Sequence, residues 1–184
     1  MKVTRRSSLS EVAACVATAL SAGGIRGVLT GGACATLYTR GVYQSSDLDF
    51  VIQSAATRSQ LDAAMREIGF ERQGDQYVHP ATPFFVEFPP GPLAIGGDFR
   101  IQPVEYSIRR RTVLALSATD SCRDRLAAFY FWNDRQSLRT AVQIAARQTV
   151  DLDLVRVWSI EEGHRAGFEE FKHELALVRR RRRG

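Results

Sequence analysis

Gly27-Val28-Leu29-Thr30-Gly31-Gly32-Ala33-Cys34-Ala35, followed after a loop by Ser46-Asp47-Leu48-Asp49-Phe50-Val51-Ile52, is the stretch whose reading decides the fold. Residues 27–30 read as a short buried strand, Gly31-Gly32 as a turn and residues 33–38 as a short helix. Residues 47–52 alternate and are β-branched, which predicts a second strand. On a strand, residues i and i+2 emerge on one face, so Asp47 and Asp49 stand together while Leu48, Phe50 and Ile52 turn to a core. Two crowded carboxylates repel unless a cation neutralises them. Hard oxygen ligands on a rigid strand suit Mg²⁺ (or Mn²⁺), which also takes substrate phosphates as ligands. A bare Asp-x-Asp reads first as a solvated loop end. The glycine pair changes that balance, because its backbone can approach phosphate oxygens at a helix N-terminus. A phosphate cradle beside a metal site equips a chain for phosphoryl or nucleotidyl transfer.

A third carboxylate comes from Phe84-Phe85-Val86-Glu87-Phe88, read as a strand that Pro89-Pro90-Gly91-Pro92 stops. Glu87 is the lone acid of an apolar run, and a buried charge needs a partner. That partner is either a metal shared with Asp47 and Asp49 or an arginine. Glu105 is the reserve candidate. Arg125 lies on an expected helix. It reads either as a ligand for a nucleotide triphosphate or as a salt-bridge partner of Asp124 or Asp134. Tyr130 and Trp132 suit base stacking, although aromatics at helical spacing usually belong to a core.

Around these elements, residues 9–20 and 57–68 show helical periodicity. Residues 70–72 and 76–78 read as a hairpin around Gln73-Gly74-Asp75, and two more strands fall near 104–106 and 112–116. From Ser117 onward only helices are expected: one capped by Ser121 with Asp124, then 136–146, 151–160 and 165–178. The reading is a mixed α/β chain with three parts. Residues 1–116 form a core, 117–178 a helical part packed on it, and 179–184 a disordered basic tail.

These residues resemble the polymerase-beta-type nucleotidyltransferase superfamily. The stretch from Val28 to Ala35 with Ser46-Asp47-Leu48-Asp49-Phe50 is most similar to the bacterial branch around the AbiE-type abortive-infection toxins. Asp124-Arg125-Leu126-Ala127-Ala128 and Trp132-Asn133-Asp134-Arg135-Gln136 resemble that branch's helical motif. The likeness covers roughly residues 25–160. It implies a nucleotidyltransferase-like mixed sheet and metal-dependent transfer of a nucleoside monophosphate from a nucleoside triphosphate. Asp47, Asp49 and Glu87 would be catalytic and metal-binding; Gly31, Gly32 and Arg125 would bind substrate. The arginine surplus suggests RNA as the acceptor, with a protein side chain next, and the resemblance admits a role as the toxin of a toxin–antitoxin or phage-defence module. The chain departs from the pattern at Ala33, where many relatives carry Ser, at Arg125 in place of Lys, and at Ser137 in place of an acid. These departures point to the alternative, a catalytically weak nucleotide- or RNA-binding module.

Composition narrows the partners. Among 184 residues the net charge is +5 and the pI about 9.5, with Arg109-Arg110-Arg111 and Arg179 to Arg183 as runs. Such charge suits phosphate-bearing partners, and it argues against cationic antibiotics as acceptors. Cys15, Cys34 and Cys122 are too far apart for a metal motif or a disulfide scaffold, and His79, His164 and His173 are equally scattered. No apolar run approaches the ~20 residues that span a bilayer, and no signal-peptide pattern is present. The expectation is a cytoplasmic protein.

Overall fold

The computed structural model describes residues 2–182. Helix α1 (Leu9–Ala22) opens with a capping box in which Ser8 and Glu11 satisfy each other's backbone amides. Strand β1 (Gly27–Leu29) leads into α2 (Gly31–Thr39), and β2 (Asp47–Ile52) follows a short loop. Helix α3 (Arg58–Glu67) carries a second capping box, Thr57 with Gln60. The hairpin β3 (Glu71–Gln73) and β4 (Gln76–His79) turns at Gly74, where φ is +63°. Strands β5 (Thr82–Glu87), β6 (Val104–Ile108) and β7 (Arg111–Ala115) complete a seven-stranded sheet of order β3-β4-β5-β2-β1-β7-β6. Four helices follow: α4 (Ala118–Trp132), α5 (Arg135–Arg147), α6 (Leu152–Glu161) and α7 (Arg165–Arg181).

Strand β2 is central. It runs antiparallel to β1 and parallel to β5, in a register that sets Asp47 opposite Phe85, Leu48 opposite Val86 and Asp49 opposite Glu87. Leu48, Phe50 and Val86 are fully buried, which locks that register, because a one-residue slip would turn the acids into the core. Helix α2 packs on β2, and α4 and α5 pack on α2. Two long-range bonds tie this helical layer down. The Tyr38 hydroxyl donates to Leu116 O at 2.7 Å, and Gln148 Nε2 donates to Tyr38 O at 2.8 Å. Cys15, Cys34 and Cys122 are all buried in this core.

The segment after β5 is pinned by a buried cation. Arg123 on α4 bonds Asp98 at 2.6 Å and Asp120 at 2.8 Å, and lies over the Trp158 ring. Trp158 Nε1 in turn donates to Ile95 O.

Three local expectations need correction. The paired glycines make no separate turn; they are the first turn of α2, with Gly31 at φ +62°. Helix α4 is capped by Ser117, which accepts from the Asp120 amide, whereas Ser121 lies one turn inside the helix and is buried. Arg179, Arg180 and Arg181 are helical rather than a loose tail. Two side chains hold that end to α5: Arg179 Nη2 donates to Ala145 O at 3.0 Å and Arg182 Nη1 to Ala146 O at 2.5 Å. Cations in a last helical turn also complement the helix dipole. Arg183 and Gly184 lie outside the described residues. Among the described residues no helix is long and apolar enough to cross a membrane.

Candidate active site

Strand alternation places Asp47 and Asp49 on one side of β2, and the parallel pairing with β5 adds Glu87 beside Asp49. One carboxylate oxygen from each lies within 4.8 Å of the others, and all three residues are half-buried. The structure therefore brings Asp47, Asp49 and Glu87 together. Burial first, then the Asp47 and Glu87 carboxylates, push the Asp49 carboxyl up to about 7. Such a group wants a cation. The donor set consists of hard oxygens on adjacent rigid strands, and it fits a divalent ion of the Mg²⁺ type.

Two neighbours hold these acids. The Ser45 hydroxyl donates to Asp47 Oδ1. Gln76 Nε2 on β4 donates to Glu87 Oε1 at 2.9 Å, across the register pair Gln76–Glu87. Sequence reading missed both. Ser45 carried a local signal, since Ser-x-Asp at a strand entry sets the two side chains close; Gln76 carried none.

The acids sit at the N-terminus of α2. Thr30 is its N-cap, but the Thr30 side chain makes no capping bond and points instead to Asp49 O. The Thr30 side chain thus leaves the first-turn amides to other acceptors. Gly31 and Gly32 are buried, with side chains packed against their Cα atoms. A Cβ at Gly31 would stand 2.2 Å from Asp49 Oδ2, and one at Gly32 would stand 2.4 Å from Ser45 Oγ and 2.8 Å from the Tyr43 hydroxyl. Ala33 is fully buried in the core, so the hydroxyls packed against Gly32 come from Ser45 and Tyr43.

Arg125 takes its salt-bridge reading here. Its Nε and Nη2 both donate to Asp124 Oδ2, at 3.0 and 2.7 Å. Burial works against its charge, but Asp124, with smaller help from Tyr43 and Asp49, outweighs that penalty and raises its pKa. The guanidinium carries five donors, so others remain for a second anion. Asp134 instead caps α5, accepting from Gln136 and Ser137. Glu105 is excluded: it lies on β6, two strands beyond β1, and pairs with Leu114. Tyr130 stacks on Trp158 and His164, whereas Trp132 is 77% exposed.

With this geometry, comparison with solved structures becomes informative. One match is an antigenic nucleotidyltransferase-like protein from Paracoccidioides brasiliensis, with a TM-score of 0.57 and 20% identity over 74% of each chain. Another is ANT(2″)-Ia in complex with adenylyl-2″-tobramycin, with a TM-score of 0.54 and 16% identity over 88% of this chain and 97% of that one. The chain has a nucleotidyltransferase-like fold. At these identities the likeness is one of fold. No protein-family profile matches the sequence, and no curated protein matches it.

Proposed function

We propose that the chain is a metal-dependent nucleotidyltransferase that moves a nucleoside monophosphate from a nucleoside triphosphate to an acceptor hydroxyl. The observation that carries this reading is the convergence of Asp47, Asp49 and Glu87 at the amide-rich start of α2. In the reaction the acceptor oxygen bonds to the α-phosphorus, the bond from that phosphorus to pyrophosphate breaks, and the acceptor proton passes to Glu87. Asp47 and Asp49 would hold the ion, with Glu87 completing the set. A bound Mg²⁺ or Mn²⁺ would neutralise phosphate charge and orient the triphosphate. Ser45 and Gln76 fix the rotamers of Asp47 and Glu87. Gly31 and Gly32 present backbone amides to phosphate, and the spare donors of Arg125 take another phosphate oxygen.

The proposed acceptor is RNA, in keeping with the arginine surplus and with the resemblance to AbiE-type toxins. That resemblance also supports a place in a toxin–antitoxin or phage-defence module. The test is incubation with each α-labelled nucleoside triphosphate, Mg²⁺ or Mn²⁺, and RNA, protein or an aminoglycoside in separate reactions. Label transferred to RNA by the wild type and not by Asp49→Asn is the expected result. Nucleotide binding without pyrophosphate release on any acceptor would leave the weak binding module, which the departures at Ala33 and Ser137 favour.

A further inference from the structure

We infer that the α5–α7 face is a docking track for single-stranded RNA, with Arg139, Arg147, Arg179 and Arg182 as its phosphate contacts. The inference rests on the nucleotidyl-transfer reading only in making that RNA the acceptor; RNA binding itself is measured without turnover.

Arg135, Arg139 and Arg147 lie at multiples of four residues along α5, a slanted row of cations that winds about a third of the way round the helix. The line begins at the α4–α5 turn, beside Asp134, which the Arg125 charge reaches, and α7 runs alongside it, from the Glu170–Arg135 pair to the Arg179–Ala145 bond. Helix α5 has 13 residues, which gives the row a length of about 20 Å. At its far end, Arg179 and Arg182 each spend one nitrogen on an α5 carbonyl and keep their other donors for a ligand. Arg182 lies close enough to Arg147 to lower its pKa, after the larger effect of burial. Crowded guanidinium groups repel, and Arg139 and Arg147 bond to Gln136, Gln143 and the Gln143 carbonyl, with no salt bridge to either among the described residues. The acids nearby are Glu170, which pairs with Arg135, and Glu174, which lines the groove between α5 and α7.

An anionic polymer resolves this crowding. RNA fits better than an acidic membrane. A membrane-binding face exposes large apolar side chains between its cations. Here Leu138 and Val142 are buried beneath the row, and Val178 is half-buried. Two exposed aromatics instead stand at one end of the row: Phe131 at 46% and Trp132 at 77% exposure close α4, just before Arg135. A row of arginines leading from an exposed tryptophan is what a base-stacking, phosphate-tracking surface needs.

The experiment measures binding of a labelled, mixed-sequence 20-nucleotide RNA by Asp49→Asn protein, without nucleoside triphosphate, over a salt series. The combined variant Arg139→Gln, Arg147→Gln, Arg179→Gln, Arg182→Gln should bind at least about tenfold more weakly near physiological salt. Losing four phosphate contacts should flatten the log–log salt slope by about 3. Trp132→Ala should weaken binding with the salt slope unchanged. Arg139→Glu alone, at an exposed position that caps nothing, should reproduce part of the loss if the combined variant folds poorly. Arg156→Gln with Arg165→Gln, off the track, should change nothing. Equal losses from the off-track pair, an unchanged slope in both track variants, or binding to phosphatidylserine vesicles in place of RNA would each overturn the track. Track-dependent binding without label transfer in the wild type would sink the acceptor assignment and leave the track standing.

Discussion

Asp49 on β2 and Glu87 on β5 are direct register partners in a parallel strand pair, and each is held from its other side by a different element. Asp49 lies against Gly31 at the head of α2, while Glu87 accepts from Gln76 on β4. Four elements, α2, β2, β4 and β5, thus meet at one pair of carboxylates. Asp49→Asn should lower metal-dependent transfer at least about a thousandfold, or about 4 kcal/mol of transition-state stabilisation. The fold should stay intact, since a crowded negative charge has been removed. Full turnover in a correctly folded Asp49→Asn protein would remove Asp49 from the reaction.

Gln76 and Ser45 touch the acids and not the reacting atoms, so they act as positioning residues. Gln76→Leu should cost about tenfold in kcat, or about 1.4 kcal/mol. It should leave the KM for nucleotide within about twofold, because a misaimed Glu87 acts in the transition state and not on uniform binding. Gln76→Glu should do worse, since it would add a fourth carboxylate beside Glu87. Steady-state kinetics with both variants decides this; a rise in KM alone would place Gln76 on the substrate instead.

The raised Asp49 pKa gives a pH dependence with a definite sign. In the metal-free protein Asp49 binds its proton up to about pH 7, whereas in an unfolded chain it releases it near pH 4, so the folded state is the tighter proton binder. Its contribution to stability is therefore complete below about pH 4 and is lost as pH rises through about 7. Thermal melts in chelator should drop between pH 5 and 8, and Asp49→Asn should flatten that part of the profile. Mg²⁺ should restore stability most at pH 8, where the carboxylate is already ionised. An identical pH slope in wild type and Asp49→Asn would show that another group sets it.

How much of this was legible in the sequence depends on the range of each interaction. The shared face of Asp47 and Asp49 follows from period-two alternation within six residues, and Glu87 stood out as a lone acid in an apolar strand. That Glu87 and not Glu105 joins them depends on strand order, which no local pattern encodes: β6 lies at the far edge although it too carries an acid. Reading the glycine pair as a turn starts α2 two residues late. Glycine is a poor helix former, and only the packing of α2 against β2, α4 and α5 overrides that preference. Arg125 presented two readings of similar weight, and the adjacent Asp124 decides between them in this state. Gln76 reaches Glu87 through a hairpin register shifted between Tyr77 and His79, a non-local irregularity invisible in composition.

The close approach of Gly31 to Asp49 yields a prediction that separates backbone strain from collision. Gly31 adopts φ +62°, where an L-residue costs about 1–2 kcal/mol, and a Cβ there would stand 2.2 Å from Asp49 Oδ2. Gly31→Ala should therefore destabilise by more than the backbone cost alone and displace the Asp49 carboxylate. Asp49→Ala takes away the colliding oxygen but keeps its own Cβ 3.4 Å from the new methyl group, a contact the neighbours can accommodate. In the double variant the collision is gone and only the backbone cost remains. Denaturant unfolding of the wild type, both single variants and the double should then show a coupling of at least about 1 kcal/mol, well outside additivity. Strict additivity would mean that Asp49 swings away from Gly31 freely in solution. The site would then be looser than a preorganised metal centre requires.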